Sequence, residues 1–556
     1  MSTDKETRAP GGEQPFWTLA QQQEKTPPCQ AGCPNSGDVR GWLGIIAQHE
    51  KMGISLEEAY DRAWARLAER NPFPATMGRI CPHPCEINCS RAEKDGAVSI
   101  NAMERFLGDW GLTRRLPLPV VVGPRHTESI GVIGSGPAGL SFAYQMARRG
   151  YPVTIYERHE MPGGMLRHAI PDYRLPREVL DAEIRRVLDL DISLQSDVEA
   201  GETIPLDELR SRHRMLFLGM GAQAGRRLGI EGEQGSGVMP GIDYLMRRKQ
   251  KLPTGLGTRV VVVGGGNTAL DAARSARRDG ADVTVLYRRG LEEMPAERHE
   301  VEDAVTEGVR FAFLAAPRRI LREGERITGI EVQRMRLGEP DADGRQSPVP
   351  IAGDVYMLEA DTVLAAVSQD PDWRGFGEAG AGGRWLHTDD EGQLADEIWA
   401  GGDDRGPGIA SRAIAHGRFA AEAAHARLRG EKPPPRTDAG RVVDPSSIDR
   451  DYYVGVARSD KARRPQSQWL TEPESEIDQT LTSEQAFHEA TRCMSCGLCF
   501  GCQQCFMYCN ASGFTRIEEP EPGRYYAMAL EACEGCGKCI ELCPCGYLET
   551  RQGSSW

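Results

Sequence analysis

Eleven of the sixteen cysteines in this chain of 556 residues lie between Cys493 and Cys545, and eight of them repeat one spacing. In each run, two residues separate the first three cysteines and three residues separate the last two. The runs are Cys499, Cys502, Cys505 and Cys509, and then Cys533, Cys536, Cys539 and Cys543, which Pro544 follows. Thiolates this close together suit soft metals, so metal binding constrains how this end of the chain folds.

The doubled spacing is that of two-cluster bacterial ferredoxins, in which the fourth cysteine of each run binds the other cluster. We therefore predict two [4Fe–4S] clusters in a small ferredoxin-like α+β domain over residues 483–556. Zinc sites usually close on two CxxC pairs, which fits this spacing less well. Cys493, Cys496 and Cys545 lie outside both runs. Cys493 and Cys496 are either ligands at a partner interface or, like Cys545, buried thiols beside the clusters.

The other five cysteines all precede residue 90, and none lies between Cys89 and Cys493. These five are Cys29, Cys33, Cys81, Cys85 and Cys89. Residues 1–30 are polar and have no apolar core of the kind found in a signal peptide. We therefore interpret the cysteines as metal ligands of a cytoplasmic protein.

Composition excludes two classes of function. The chain has 67 basic and 81 acidic side chains, a net charge of −14, which disfavours a nucleic-acid-binding protein because such proteins need a basic surface. No apolar run approaches the length that spans a membrane. A chain this long is expected to form three or four domains.

A first nucleotide-binding motif follows a predicted strand at residue 130. Gly134 makes a tight turn, Gly136 lets the backbone approach a pyrophosphate, and Gly139 lets the following helix pack against the strand. Glu157 ends the second strand, where its carboxylate can accept hydrogen bonds from both ribose hydroxyls. The candidate binding residues here are Gly134, Gly136, Pro137, Ala138, Gly139, Glu157 and Gly164.

A second motif repeats this arrangement within residues 258–289. Its candidate binding residues are Gly264, Gly266, Asn267, Thr268, Ala269, Arg288 and Arg289. Tyr287 replaces the acid at the end of the second strand, and the two arginines follow it. Arginines pair with a 2′-phosphate that a carboxylate would repel, so the pattern favours NADP over NAD. The alternative is that both arginines are solvated surface charges.

A third segment contains a strand, a Gly-Gly-Asp turn and a long alanine-rich helix within residues 391–429. Gly402, Asp403 and Ala413 are its candidate binding residues, and Asp403 can bind hydroxyls of a flavin's sugar chain. His416 either contacts the flavin or is an ordinary packed histidine.

Residues 29–430 resemble the glutamate synthase small subunit and the N-terminal half of dihydropyrimidine dehydrogenase. The resemblance is carried by Asn71-Pro-Phe-Pro, the cysteine segment from Gly78 to Cys89, Pro162-Gly-Gly-Met-Leu, Tyr287-Arg-Arg and Ala400-Gly-Gly-Asp. It implies FAD on the first motif, NADP or NAD on the second, and an iron–sulfur cluster in the N-terminal helices. With the ferredoxin-like tail, the chain resembles electron-input subunits of hetero-oligomers. The implied partners are ferredoxin, other redox subunits, 2-oxoacid:ferredoxin-type complexes or reverse-type sulfite reductase.

The resulting fold is α/β, with two nested Rossmann-like domains between two iron–sulfur domains. Residues 1–28 are predicted to be a flexible lead and residues 29–115 a helical iron–sulfur domain. The FAD domain covers 116–255 and 365–430, the NAD(P) domain covers 256–364, and 431–482 is a linker before the tail.

The family pattern and this chain differ at the N-terminal cysteines. Family members with two N-terminal clusters have another CxxC pair before the position of Cys29, and no cysteine precedes Cys29 here. By resemblance, Cys33, Cys81, Cys85 and Glu104 match the ligands of one cluster. Cys29 and Cys89 match what is left of the other. A rival assignment draws all four ligands from the five cysteines. We expect three [4Fe–4S] clusters in all.

The predicted function is an NAD(P)H:acceptor oxidoreductase that relays electrons between NAD(P)H, FAD and clusters, in either direction. No catalytic acid, base or nucleophile of the protein is named, because the cofactors carry the chemistry. One alternative is a wiring subunit that is inactive without its catalytic partner. The other is a glutamate synthase small subunit, against which the tail argues.

Overall fold

A computed structural model describes residues 18–341, 344–377, 384–435 and 441–552. The N-terminal part of the described chain is helical from Pro28 to Thr113. Its helices are Pro28–Gly32, Val39–Ala47, Leu56–Ala68, Pro74–Ile80, Pro84–Ile87, Ala92–Asp95 and Ile100–Thr113, with a 3-10 turn at His49–Met52. The helix Leu56–Ala68 begins where the Ser55 hydroxyl accepts a hydrogen bond from the Glu58 amide at 3.2 Å. Its apolar face packs Tyr60 and Trp64 into the interior.

The first nucleotide-binding domain is built on a six-stranded sheet. Its strands, in spatial order, are Gln393–Ala395, Ile398–Ala400, Met215–Leu218, Ile130–Ile133, Val153–Tyr156 and Ile192–Gln195. Only the edge pair formed by the first two strands is antiparallel. Its helices are Pro137–Ala147, Gly164–His168, Arg177–Leu188, Leu206–Arg212 and Ala410–Arg429, with a 3-10 turn at Gly402–Arg405. Gly417 allows the last long helix to approach Ala138 of the first, because a Cβ there would lie 2.2 Å from the Ala138 carbonyl oxygen.

The second domain has a five-stranded parallel sheet. Its strands, in spatial order, are Arg310–Phe313, Asp282–Tyr287, Arg259–Val263, Thr362–Ala365 and Val238–Pro240. The helices Gly241–Lys249, Asn267–Arg278 and Arg298–Thr306 belong to it, as does an antiparallel sheet of Ala315–Glu323, Arg326–Pro340 and Gln346–Glu359. Gln369–Pro371 pairs with Ala222–Gly225 where the chain passes between the domains.

The nested α/β layout predicted from the sequence is confirmed. The second domain nevertheless begins before the predicted boundary at residue 256, because its sheet takes Val238–Pro240 as an edge strand beside Thr362–Ala365. Three residues are too short a strand to show a period in the sequence.

The tail contains the helices Gln504–Tyr508 and Lys538–Glu541, the hairpin Phe514–Glu521 with Arg524–Met528, and a 3-10 turn at Leu530–Ala532. Its last strand, Leu548–Gln552, pairs antiparallel with Thr18–Gln22. Residues 18–22 are therefore not part of a flexible lead, because a full ladder of backbone hydrogen bonds holds them. Residues 1–17 of that predicted lead lie outside the described residues.

The predicted boundary at residue 483 also differs from the structure. The helix Ser483–Thr491 packs into the N-terminal helical domain, where Ala486 and Ala490 are fully buried beside Trp42 and Leu43. The predicted linker has 3-10 turns at Pro445–Ser447, Arg450–Tyr452 and Gln466–Gln468. It is anchored by buried side chains, including Val443, Trp469 and Ile477; its residues 436–440 are not among those described. Among the described residues, no helix has the length and apolar character that a bilayer crossing requires.

Candidate cofactor sites

A cavity of about 440 Å³ lies between the two nucleotide-binding domains. Residues of all three predicted segments line it. These are Gly134, Gly136, Pro137, Ala138, Glu157, Gly164, Asn267, Thr268, Gly402, Asp403 and Ala413. The two motifs therefore face one space, which is the arrangement that two nucleotides exchanging a hydride require.

The three glycines of the first motif have three different surroundings. Gly134 has a φ of +92°, and a Cβ there would lie 2.4 Å from the Gly219 carbonyl oxygen. A Cβ on Gly139 would lie 2.0 Å from the Gly134 carbonyl oxygen. A Cβ on Gly136 would meet only the Gly219 oxygen, at 3.9 Å, and would extend into open space. The first and third glycines thus shape the turn, and the second leaves room for a pyrophosphate.

Glu157 lies directly after the strand Val153–Tyr156 and is almost fully buried. Its carboxylate accepts hydrogen bonds from the Ser135 amide at 3.0 Å and from the His159 amide at 2.9 Å. It therefore ties the glycine turn to the end of the second strand, at the edge of the cavity where a ribose would bind.

The Gly-Gly-Asp turn contributes two acids, of which sequence reasoning found only one. Burial raises the pKa of Asp403 to about 6, although the Gly408 amide donates to it at 3.1 Å. The neighbouring Asp404 is fully buried, and it accepts hydrogen bonds from the amides of Met220 (3.0 Å) and Gly221 (2.6 Å). Burial raises the pKa of Asp404 to about 8. The sequence shows that two acids follow Gly402. It does not show the partners of Asp404, because Met220 and Gly221 lie far from it along the chain.

His416 was predicted either to contact a flavin or to pack as an ordinary histidine. Its Nδ1 accepts a hydrogen bond from the Gly402 amide at 3.1 Å. Gly402 has a φ of +72°, so this bond holds a turn that favours glycine.

The second motif reproduces the geometry of the first. Gly264 has a φ of +147°, and a Cβ there would lie 2.2 Å from the Ala366 carbonyl oxygen. A Cβ on Gly266 would have no atom within 4 Å. Ala269, at the third position, is fully buried at the start of the helix Asn267–Arg278. Gly266 is thus the open position of this motif, as Gly136 is of the first.

The two arginines after Tyr287 have different environments. Arg288 is exposed, whereas Arg289 is buried. The Arg289 guanidinium forms an ion pair with Asp341 at 2.5 Å and donates to the Gln346 carbonyl oxygen at 2.7 Å. Arg289 is therefore engaged by residues of the adjoining antiparallel sheet. Of the two arginines predicted to bind a 2′-phosphate, only Arg288 remains a candidate.

An ion-pair network joins the two domains beside the cavity. Arg174, from the first domain, contacts Asp271 at 2.7 Å and Glu300 at 2.9 Å, both from the second. Arg174 and Asp271 line the cavity. The relative position of the two motifs is therefore fixed by buried, charge-assisted contacts.

Site A consists of Cys33, Cys81, Cys85 and Glu104, the set that the resemblance implied. Burial, and then the carboxylate of Glu104, raise the pKa of Cys81 to about 12. Burial also raises the pKa of Cys85, with Cys33, Cys81 and Glu104 among its electrostatic neighbours. Glu104 itself accepts a hydrogen bond from the Asn71 amide group at 2.9 Å. The structure thus brings Glu104 to the three thiols, which favours this set over the rival of cysteines alone.

Site A adjoins the cavity between the nucleotide motifs. Cys81 ends the helix Pro74–Ile80, and its two chain neighbours, Ile80 and Pro82, both line the cavity. The side chain of Glu183 accepts hydrogen bonds from the amides of Ala75 (2.7 Å) and Thr76 (2.8 Å) at the start of that helix. This contact fixes the helical domain against the first nucleotide-binding domain.

The tail cysteines form two groups, and each group takes its fourth cysteine from the other run. Site C consists of Cys499, Cys502, Cys505 and Cys543, which line one small cavity together with Cys545. Site D consists of Cys509, Cys533, Cys536 and Cys539. Burial raises the pKa of Cys539 to about 11, and its electrostatic neighbours are the thiols of Cys533, Cys536 and Cys509. The grouping is the crossed one that the doubled spacing predicts. The sulfur of Cys545 lies 3.8 Å from that of Cys543.

Cys29 and Cys89 do not join site A but lie with Cys493 and Cys496. No three acid, histidine or cysteine side chains of the described ranges meet closely enough to chelate a single ion. The thiols of a cubane cluster bind four different irons, so they stand farther apart than the ligands of one ion.

Residues 128–417 match the family of pyridine nucleotide-disulphide oxidoreductases. The chain belongs to this family. Within this oxidoreductase, residues 22–116 match a second family, dihydropyrimidine dehydrogenase domain II with a 4Fe-4S cluster, which covers the helical domain with site A. The predicted resemblance is thereby confirmed.

Two relatives and one solved structure show how far the similarity extends. The NADPH-Fe(3+) oxidoreductase subunit beta of Geobacter sulfurreducens is 40% identical over 354 residues, 62% of this chain and 51% of that one. The glutamate synthase [NADPH] small chain of Azospirillum brasilense is 33% identical over 434 residues, 74% of this chain and 88% of that one. Mycobacterium tuberculosis FprA in complex with NADPH shares the fold, with a TM-score of 0.50 at 17% identity over 66% of this chain and 100% of that one. The oxidoreductase spans about half the length of the Geobacter relative.

Proposed function

We propose that this chain is an NADPH:acceptor oxidoreductase subunit, which passes electrons from NADPH through FAD to iron–sulfur clusters and a redox partner. The observation that carries the proposal is the shared cavity, which both nucleotide motifs line and which Ile80 and Pro82 connect to Cys81 of site A. Electrons taken from a nicotinamide on the second motif would thus be released beside the first iron–sulfur site.

The residues around the cavity fit FAD. The open position at Gly136 leaves room for a pyrophosphate, and the Glu157 carboxylate lies where a ribose would present its hydroxyls. Asp403 also lines the cavity, beside the Gly402 turn. FAD bound there would supply hydride acceptance and one-electron release. On the second motif, Gly266 would admit the pyrophosphate of NADPH and Arg288 would face its 2′-phosphate.

The outlet for electrons is proposed to be site D. Cys536 is the one exposed cysteine among the sixteen, all of which lie in the described ranges. Met507 and Tyr508 expose 67% and 56% of their surface between Cys505 and Cys509. These exposed side chains beside sites C and D suit a protein acceptor such as ferredoxin, a 2-oxoacid:ferredoxin-type complex or reverse-type sulfite reductase, and electrons could pass in either direction.

A second candidate is a wiring subunit that is active only within a complex. It is favoured by the Geobacter relative, which is the beta subunit of an NADPH-Fe(3+) oxidoreductase. Anaerobic co-purification separates the two candidates. The isolated chain should reduce a small ferredoxin with NADPH if it is an oxidoreductase by itself, and it should do so only with its copurifying partner if it is a wiring subunit.

The matched variants Gly136→Ala and Gly266→Ala test the assignment of the two motifs. Both glycines are open positions, so either Cβ should leave the fold intact. Gly136→Ala is expected to purify with less FAD. Gly266→Ala should keep its FAD but raise KM for NADPH by at least roughly tenfold. The measurements are cofactor chromatography after acid release, and steady-state dye reduction at matched FAD content.

Two results would contradict the proposal. Recovery of FMN alone from the unaltered chain would overturn the FAD assignment. Unchanged NADPH kinetics in Gly266→Ala would show that the second motif does not bind the pyridine nucleotide.

A further inference from the structure

Two cysteines from the start of the chain meet two from the segment that precedes the ferredoxin runs. Cys29 lies in the helix Pro28–Gly32, and Cys89 follows the helix Pro84–Ile87. These two helices pack closely, since a Cβ on Gly32 would lie 2.4 Å from the Asn88 side chain. Cys29 and Cys89 therefore face the same part of the helical domain.

Cys493 and Cys496 are held near Cys89 by contacts with the two residues that follow Cys89. The buried Arg91 guanidinium donates to the carbonyl oxygen of Arg492, the residue before Cys493, at 2.7 Å. The sulfur of Cys496 lies 3.3 Å from the Ser90 hydroxyl oxygen, next to Cys89. Because Ser90 and Arg91 directly follow Cys89, the two segments are fixed against each other at the cysteines.

A buried arginine lies beside these thiols. Arg40 is 4% exposed, and its Nη1 donates to the carbonyl oxygens of Lys25 (2.7 Å) and Cys496 (2.8 Å). Its Nε is buried and has no hydrogen-bond partner among the described residues. A buried cation with a spare donor suits a site where thiolate charge accumulates.

The electrostatics agree with this grouping. Burial raises the pKa of Cys29 well above its usual value, and the thiols of Cys493, Cys89 and Cys496 add to the rise. Cys29, Cys89 and Cys493 also pack against the same apolar cluster as the helix Ser483–Thr491. Cys33 and Cys85 of site A border the same apolar cluster, but no site A cysteine is among the electrostatic neighbours of Cys29, Cys493 or Cys496.

We propose that these four cysteines form site B, which binds a fourth [4Fe–4S] cluster. Cys29 and Cys89 come from the helical domain, and Cys493 and Cys496 supply the CxxC pair that is missing upstream of Cys29. This would raise the number of clusters from the three expected from the sequence to four. All-thiolate donors also suit zinc, but site B lies between sites A and C, which favours an iron–sulfur cluster.

The position of site B gives it a role, and this part of the inference rests on the proposed function. Cys29 is four residues from Cys33 of site A, and Cys496 is three residues from Cys499 of site C. Segments of three or four residues span at most about 11–14 Å. Site B therefore connects the flavin side to the tail. Each electron derived from NADPH would reduce site B as site A is reoxidised, and would then leave to site C.

The test is the double variant Cys493→Ser/Cys496→Ser in the full-length chain, purified without oxygen, with Thr491→Ser at a neighbouring exposed position as the control. Unaltered protein should contain about 16 irons and 16 sulfides, the control the same, and the double variant about 12 of each. Cys29→Ser should lose the same four irons, and combining it with the double variant should remove no more. The FAD content of all variants should be equal.

Further results decide against site B. About 12 irons in the unaltered protein, or equal iron in the double variant and the unaltered protein, would overturn it. So would one zinc per chain that the double variant loses. The relay role has its own readout, because ferredoxin reduction by NADPH should fall at least tenfold in the double variant. If NADPH reduces no cluster even in unaltered protein, the proposed function fails, while the iron counts still decide whether site B exists.

Discussion

The nucleotide-binding domains and the iron–sulfur regions build their sites in opposite ways. Each nucleotide motif is completed within one strand–helix–strand unit; the Glu157 carboxylate that binds the Ser135 amide is only 22 residues away from it. The iron–sulfur regions instead join the two ends of the chain. Thr18–Gln22 pairs with Leu548–Gln552, and Cys29 lies with Cys493. The nucleotide motifs are therefore local in sequence, whereas the proposed site B depends on contact between the first and last parts of the chain.

This difference shows that the tail is more than an appended module. Glu489, in the helix Ser483–Thr491, accepts a hydrogen bond from the Ser99 amide at 2.9 Å. Arg492 is 1% exposed and donates to Asp95 at 3.0 Å and to the Gly96 carbonyl oxygen at 2.8 Å. The segment before the ferredoxin runs is thus part of the helical domain that carries site A.

The largest difference in stability and iron content is expected between chains shortened at two different positions. A chain ending at Thr482 should lose sites B, C and D and should also destabilise the helical domain. It removes the hydrogen bonds that Arg492 and Glu489 make with the helical domain, while Asp95 keeps its ion pair with Arg91, so we expect a loss of roughly 1–3 kcal/mol. A chain ending at Gly497 loses the same terminal strand but keeps these contacts. It should retain about 8 irons and full FAD, against about 4 irons at most for the shorter chain.

Iron, FAD and thermal melting of the two cut chains are the measurements. Equal melting temperatures and equal iron contents in the two cut chains would contradict this expectation. They would show that the segment from Ser483 to Gly497 is independent of the helical domain.

The sequence was most informative where a site is local. The glycine turns and the crossed ferredoxin runs follow from spacing, because the residues that form each of them lie close together in the sequence. Asp404, which binds the Met220 and Gly221 amides, and Arg289, which pairs with Asp341, depend on tertiary contacts that no local pattern encodes. The grouping of Cys496 with Cys89 is of the same kind, because chain closure sets it.

A second, smaller effect is expected within the nucleotide-binding domains, in the choice between NADPH and NADH. Arg288→Ala should weaken use of NADPH by about tenfold to a hundredfold in kcat/KM, roughly 1.5–3 kcal/mol, and should leave NADH use nearly unchanged. The reason is that Arg288, the exposed arginine of the pair, is the one we propose to bind the 2′-phosphate.

The neighbouring arginine provides the control. Arg289→Ala removes the ion pair with Asp341, so it should lower the melting temperature and affect both nucleotides to a similar degree. Steady-state kinetics with both nucleotides check this. Equal losses for NADPH and NADH in Arg288→Ala would show that this side chain does not distinguish them.

The smallest effect concerns Asp404, the long-range contact within the otherwise local nucleotide half. Its pKa is raised to about 8 by burial, against an ordinary value of about 3.9. Between these values the folded chain holds a proton that the unfolded chain releases, so this group's contribution to stability is complete below about pH 4 and falls as the pH rises to about 8.

Asp404→Asn should flatten that dependence. The amide does not titrate, and its oxygen can still accept a hydrogen bond from the amide of Met220 or Gly221, although one of the two bonds is lost. We expect the stability of the variant to fall less steeply than that of the unaltered chain between pH 5 and pH 8. Denaturation followed by flavin fluorescence across this range measures the difference directly. Asp403 and Glu183 also have raised pKa values and remain in both proteins, so their effects cancel. Parallel pH profiles for the two proteins would show that Asp404 stays ionised at the Gly219–Gly221 turn, and that its two backbone hydrogen bonds outweigh its burial.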